Sequence, residues 1–320
     1  MSAPSTAAAA ATAPASVGVA ATNAAPPPIT GPLAHATLLV GAAAPVIAAY
    51  RALGLKVVAD EPVATAQAQA WGQAALGGQR CVELAPRDGT SLLRLIEVPG
   101  AQPRPTRWGH GWLALEILVA DVDALQGPAR AAGFEIVGPP ADLEISSALR
   151  AMQVVGPAGE MLYLTQVKAP VPPFDLPLSA ELPPGQALGS LFIAVMSTPS
   201  RAAALQACAD RLDLPTGGTL QFDTKVTVLN RAFGRPFDSR WPLATVALGG
   251  RCLFEIDEVV DPQVWTPRPG SALPSGLAWV SAFSAAAGPC DGALLELAPG
   301  AWFEQLAPTH QKRYSTPTRP

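Results

Sequence analysis

Apolar positions alternate with polar ones in short runs along most of this chain. That period of two predicts β-strands, and only brief stretches switch to the spacing of a helix. The runs recur: strands at 34–40 and 111–117 each open a unit, and strands at 92–97 and 160–165 each close one. After the first opening strand, Val46, Ala49, Tyr50 and Leu53 fall on one helical face, and Gly54 stops that helix as a C-cap. Strands at 56–58 and 80–84 follow, with a segment around Trp71 and Gly72 between them. Pro86, Arg87, Asp88 and Gly89 predict a hairpin turn, because Asp-Gly readily takes positive φ. The unit reads β-α-β-β-β. In the second copy Asp121 is the N-cap of a helix carrying Val122, Leu125 and Ala129 up to Gly133. Strands at 134–137 and 149–155 come next, and a turn at 156–159 leads into the closing strand.

A third opening strand at 191–195 precedes a helix at 202–212 and a closing strand at 251–256, while a fourth unit, from 276 to about 306, is short and has lost its helix. The expected fold class is α+β, tandem β-α-β-β-β units in two domains. An N-terminal pair of units fills 32–168, and a degenerate C-terminal pair fills 189–308. Between them, 169–188 contains Pro170, Pro172, Pro173, Pro177, Pro183 and Pro184, too many missing amide donors for regular structure. The segment 1–31, rich in Ala, Pro, Thr and Ser and without a charged side chain, predicts a disordered tail; 309–320 predicts a second one.

Composition narrows the function. Of 320 residues 49% are hydrophobic and 14% charged, enough to bury sizeable cores. A net charge of −4 with no Lys/Arg cluster argues against nucleic acid or an anionic membrane as partner, because phosphate neutralisation needs concentrated positive charge. No apolar stretch approaches the length needed to cross a bilayer. Cys81, Cys208, Cys252 and Cys290 are widely spaced and form no CxxC pair, as expected of isolated thiols in a reducing, cytoplasmic setting. There is no GxGxxG, Walker A loop, HExxH or GxSxG. Arg231, Arg235 and Arg240 with Lys225 are expected in a solvated loop. What remains is a protein for a small-molecule substrate.

The paired units, with His35 at the head of the first and 93–97 at its close, resemble the vicinal oxygen chelate superfamily, which includes glyoxalase I, extradiol dioxygenases and bleomycin-resistance proteins. The segments 154–160 and 162–164 resemble its usual closing turn and strand. The resemblance implies curved sheets enclosing a cavity, a divalent metal (Fe, Mn, Zn or Ni) held by opening and closing strands, and units that pair between chains, hence a possible homodimer. Carried onto this sequence, it makes His35 and Glu97 metal ligands. The corresponding second-unit positions are taken to be Trp112 and Tyr163, neither an ordinary ligand, so His110 is the candidate third ligand if its strand begins early. A standard iron dioxygenase site in the second half is not expected, since Glu255 has no accompanying histidine and the third histidine, His310, lies in the tail.

Glu116, four residues after Trp112 and flanked by Leu115 and Ile117, is the candidate proton carrier, because a desolvated carboxyl has a raised pKa. Glu97 is the alternative carrier, and Trp112 with Tyr163 would stack a flat ligand. Two functions follow: lyase, isomerase or dioxygenase chemistry in an N-terminal cavity whose metal is weakly held or absent, or metal-free sequestration of a ligand as in bleomycin-resistance proteins.

Overall fold

The computed structural model describes residues 30–88, 92–214, 219–268, 273–285 and 292–307. Residues 1–29 and 308–320 of the expected tails, together with Gly89, Cys290 and His310, lie outside the described residues. The first unit comprises β1 (Thr30–Val40), α1 (Ala43–Ala52), β2 (Lys56–Pro62), α2 (Thr65–Ala70), β3 (Arg80–Ala85) and β4 (Leu92–Glu97). The second comprises β5 (Gly111–Val119), α3 (Val122–Ala131), β6 (Glu135–Leu143), β7 (Ser146–Val155) and β8 (Met161–Val167). The third runs through β9 (Leu188–Thr198), α4 (Arg201–Leu212), β10 (Leu220–Lys225), α5 (Thr227–Ala232), β11 (Arg240–Leu248) and β12 (Cys252–Glu258). The fourth is β13 (Gly276–Ser284), β14 (Leu294–Ala298) and β15 (Ala301–Leu306), with no helix among its described residues. The α+β class and the tandem β-α-β-β-β units are as the periodicity predicts.

Two details at the edges of these units differ from expectation. Thr30, placed in the tail by composition, is buried in β1, where its carbonyl accepts from the Gly249 amide. The basic segment around Lys225 is not a bare loop. Lys225 ends β10 and Arg231 lies in α5, while Arg235 and Arg240 are taken up by Asp261 and Glu144.

The larger difference is in how units pair. One sheet has the order β14-β15-β13-β1-β4-β3-β2 and the other β10-β11-β12-β9-β5-β8-β7-β6. Unit one therefore shares its sheet with unit four, and unit two shares its sheet with unit three. The expected N-terminal and C-terminal pairs do not form; each opening strand finds its antiparallel partner in a unit across the Pro-rich segment. The junctions are β1 with β13, where His35 faces Ser281, and β5 with β9, where Glu116 faces Ile193.

A single buried cluster joins the helix-bearing faces of both sheets, from Leu38 and Tyr50 through Leu115 and Leu125 to Phe254 and Phe303. Phe254 lies between Trp112 and Phe303, with ring centroids 5.6 Å and 5.4 Å away. Tyr50 on α1 meets Phe134 edge to face and donates to Glu160 at 2.5 Å, binding the first unit to the second. Burial pushes the Glu160 carboxyl up to about 7, opposed by that hydrogen bond and by backbone donors.

With unit four returning to the first sheet, the chain passes between sheets twice, at 98–110 and 259–275. The two passes lie against each other: His110 and Trp265 amides donate to the Trp265 and Trp108 carbonyls respectively, and Arg104 stacks 3.6 Å from the Trp265 ring. His110 fastens them. Its Nδ1 is 2.9 Å from the Thr266 hydroxyl and its Nε2 donates to the Val259 carbonyl at 2.9 Å, so both ring nitrogens are engaged. Burial lowers its pKa, so the stability it contributes is present above the unfolded histidine value and is lost as pH falls through the lower folded one. His110→Ala is expected to lower unfolding free energy by about 1–3 kcal/mol, for two buried hydrogen bonds lost. Urea unfolding at neutral pH measures this; an unchanged midpoint would show that the passes hold without His110.

Candidate functional site

The strand ladders fix which residues are equivalent across units. Thr37 faces Arg94, Glu116 faces Tyr163, Val195 faces Glu255 and Ser281 faces Glu304. Arg94, Tyr163, Glu255 and Glu304 thus occupy one position in the four closing strands, all on faces turned away from the shared core. Glu97 is not in that set. It sits at the end of β4 beside Val40, five positions along the ladder from the Leu92 that faces His35, roughly 16 Å away at the strand rise. An odd offset also turns it to the opposite face.

There Glu97 accepts from the Ala43 amide at 2.6 Å and caps α1, whose N-cap, Ala42, makes no side-chain cap hydrogen bond. Unit three repeats the arrangement: Glu258, paired with Thr198, accepts from the Arg201 amide at the start of α4 at 2.8 Å. Glu97 is a helix cap by position and by repetition, so it neither joins His35 around a metal nor reaches a cavity as a proton carrier.

Trp112 is also displaced from its expected place. The β5 to β9 register shifts between Trp112 and Ala114, a bulge that breaks alternation, so counting four back from Glu116 no longer stays on one face. The indole packs in the core, and its Nε1 donates to the Trp302 carbonyl. Ladder position makes Ala114, not Trp112, the second-unit counterpart of His35.

Of the cavities among the described residues, two lie over the outer faces of the sheets, one over each. That over the eight-stranded sheet, about 140 Å3, is lined by Glu116, Tyr163 and Glu255 together with Gln153, Lys225 and Val226 to Val228. Glu116 and Tyr163, paired on the ladder between β5 and β8, stand in this wall together. Glu116 accepts from the Thr165 hydroxyl at 2.6 Å, while burial pushes its carboxyl up to about 7 against that hydrogen bond. Glu255 is raised well above the carboxylate range by burial and then by Asp257 and Glu116; burial takes Asp257 to about 7. The Tyr163 phenol is raised by burial and then by these carboxylates. Its hydroxyl is buried and has no hydrogen-bond partner.

The second cavity, about 410 Å3, lies over the seven-stranded sheet, with His35, Glu83, Arg94 and Trp71 in its wall. Behind it Glu304, fully buried, accepts from Trp71 Nε1 (2.6 Å), Ser281 Oγ (2.6 Å), Arg94 Nη1 (3.0 Å), Trp279 Nε1 (3.3 Å) and Gln67 Nε2 (3.5 Å). Arg94 and Glu304 carry no motif of their own. Superposing the four closing strands on the apolar residue that precedes this position, Leu93, Leu162, Phe254 and Phe303, would have revealed both.

A divalent metal does not fit these residues. His35, Glu97 and His110 do not converge, and among the described residues no group of three or more His, Cys, Asp and Glu side chains is arranged to hold an ion. Where opening and closing strands of the first sheet meet, the Arg94 guanidinium stands 3.4 Å from His35 Nδ1 and 3.0 Å from Glu304. A permanent cation there repels a dication and occupies the lone pairs that would bind it. The described cysteines are free thiols raised by burial, Cys81 and Cys252 to about 11 and Cys208 to about 12, which keeps them unreactive.

Residues 33–159 match the family described as the Glyoxalase/Bleomycin resistance protein/Dioxygenase superfamily. Among solved structures, glyoxalase I from Zea mays is similar at 13% identity with a TM-score of 0.55, over 88% of this chain and 94% of that one. A putative dioxygenase from Bacillus subtilis subsp. subtilis str. 168 is similar at 10% identity with a TM-score of 0.50, over 81% of this chain and 71% of that one. At these identities the likeness is one of fold. No curated protein matches the chain. Among the described residues no helix is long and apolar enough to cross a membrane.

The raised carboxyls set a pH dependence of stability. A group whose folded pKa lies above its unfolded value contributes stability that is full below the unfolded value and is lost as pH rises through the folded one. For Glu116 that window runs from 4.5 to about 7, a shift worth about 3 kcal/mol. Glu116→Gln is expected to gain stability relative to the native chain between pH 5 and pH 8, by at most about that amount. Denaturant unfolding at the two pH values measures it; a difference that does not change with pH would mean that Glu116 titrates as an exposed carboxylate.

Proposed function

We propose that this vicinal oxygen chelate protein acts on a small oxygenated organic molecule by proton transfer in the cavity over the eight-stranded sheet, without a metal in that step. One observation carries the reading: a buried Tyr163 hydroxyl with no partner faces the same space as a Glu116 carboxyl held near neutrality. Buried polar atoms are nearly always paired, so an orphan phenol in a cavity is placed for a ligand atom. A carboxyl near 7 is poised both to take and to return a proton at neutral pH.

In the step these groups support, Glu116 as carboxylate takes the proton from a carbon next to a carbonyl. Tyr163 donates to the carbonyl oxygen as it gains enolate character, and Glu116 returns the proton to product. Burial, and after it the neighbouring carboxyls, keep Tyr163 protonated as a donor. An isomerase outcome follows when the proton is returned to a different carbon; a lyase outcome follows when the enolate instead expels a leaving group from the next carbon, which departs with the proton from Glu116. The runner-up reading, sequestration of a ligand without turnover, draws support from the cavity's size, since about 140 Å3 closes around few atoms beyond those in contact.

The test is a thermal-shift screen of carbonyl-containing and phenolic compounds against the full chain, followed by product analysis of each compound that binds. Glu116→Gln is expected to lower turnover by about 10²–10⁴-fold while the compound still binds, and Tyr163→Phe to lower it with no loss of stability. Full turnover in Glu116→Gln would overturn the assignment; binding with no product from any compound would favour sequestration.

A further inference from the structure

Glu255 holds on β12 the position that Glu304 holds on β15, but its surroundings are inverted. Glu304 is met by a guanidinium and four further donors. No ion pair to Glu255 forms among the described residues. Two residues further along, Asp257 shares the face of Glu255 and is fully buried, and neither of its oxygens has a hydrogen-bond partner. The cluster is uncompensated: after burial, the Asp257 and Glu116 charges push the Glu255 carboxyl up further.

Only β9 separates β12 from β5, so the backbones of Glu255 and Glu116 are roughly 10 Å apart, two strand spacings. Tyr163 follows on the next strand, and its buried, unpartnered hydroxyl faces the same cavity as both carboxyls. The cation in the wall does not fill the gap. Lys225 Nζ lies 4.4 Å from the Phe237 ring centroid and pairs with none of these carboxyls among the described residues. Glu144, also in the wall, is taken by Arg240. The ladder partners of Glu255 and Asp257 are Val195, Ser197, Thr245 and Leu243, so β9 and β11 bring no titratable group to the pair.

We propose that the ligand of this cavity is a small amino carbonyl compound, whose ammonium group is received by Glu255 with Asp257 beside it while its carbonyl oxygen meets Tyr163. This rests on the proton-transfer reading of the same cavity and gives it a substrate class. An ammonium has three donors and no acceptor. It therefore suits carboxyls that lack donors, and it supplies to Glu255 the positive charge that Arg94 supplies to Glu304. The cavity, about 140 Å3, limits the ligand to few heavy atoms. While the cavity is empty, burial lets the pair keep its protons. An arriving ammonium favours the ionised form, so one proton passes from the pair to solvent on binding.

Titration calorimetry of the full chain with aminoacetone and, separately, with hydroxyacetone, which carries a hydroxyl in place of the ammonium, tests this. Aminoacetone is expected to bind about tenfold more tightly, the scale of a hydrogen bond to a charged group. Repeating its titration at neutral pH in two buffers of different ionisation enthalpy is expected to show release of about one proton. Glu255→Gln is expected to lower the aminoacetone affinity about tenfold and to leave that of hydroxyacetone unchanged, which also reports an intact cavity. Asp257→Asn, at a residue outside the lining, is the independent arm and is expected to lower the aminoacetone affinity about threefold. Equal affinities for the two compounds, binding of neither, an aminoacetone affinity that both substitutions leave unchanged, or binding of manganese(II) but not of aminoacetone would each overturn the proposal. Proton exchange at the carbon next to the carbonyl, followed by NMR in deuterium oxide, separates recognition from chemistry. Tighter binding of aminoacetone without exchange keeps the ammonium site and overturns the proton transfer, while exchange of both compounds at equal affinity does the reverse.

Discussion

The antiparallel pairing of opening strands is the constraint on which everything else rests. A β-α-β-β-β unit brings its opening and closing strands together but leaves the other edge of the opening strand unpaired, and an unpaired apolar edge is not a stable end point. Here β1 takes β13 and β5 takes β9. Those two junctions decide which side chains share a cavity: His35 and Arg94 with Glu304 over one sheet, Glu116 and Tyr163 with Glu255 over the other. The same pairing turns the helix-bearing faces inward, against each other, so that the dry core and the polar cavities lie on opposite sides of each sheet.

That separation explains why the polar residues cost so little packing. Glu304, Glu116 and Asp257 are deeply buried and Glu255 is half-buried, yet none interrupts the cluster that joins the sheets. The two cavities handle buried charge differently. Over the seven-stranded sheet a carboxylate is matched by a guanidinium and four further donors, which stabilise the charged form. Over the eight-stranded sheet no ion pair to the three carboxyls forms among the described residues, and burial favours their protonated forms. One half of the molecule thus keeps a fixed ion pair where the other keeps movable protons, although both are built on equivalent ladder positions.

The sequence carried the local part of this architecture plainly. Helix stops at Gly54 and Gly133, the cap at Asp121 and the alternation of closing strands are all properties of neighbouring residues, and each is present where expected. What it did not carry is non-local. Nothing in two equally apolar opening strands states which will pair, so grouping units by their order along the chain gave neighbours where the structure has nested partners. Tyr163 was legible because its closing strand alternates strictly; Glu116 was singled out by its spacing from Trp112, although the β5 register shifts on either side of it. Trp112 was not legible, because a single extra residue in β5 shifted it into the core. Glu97 was mistaken for the closing-strand position because it is acidic; Arg94, three residues earlier, holds that position with the charge reversed.

The nesting of units has a consequence for how the protein is made. The eight-stranded sheet is complete once residue 258 has emerged from the ribosome, since its strands all come from the middle of the chain. The seven-stranded sheet combines β1 to β4 with β13 to β15. Unit one must therefore wait through the translation of some two hundred intervening residues, at about 5–20 residues per second, before β13 reaches it. For that interval the edge of β1 and the apolar floor around Leu39 and Ile96 have no partner from unit four. Vectorial synthesis thus leaves unit one, made before units two and three, protected only after both of them.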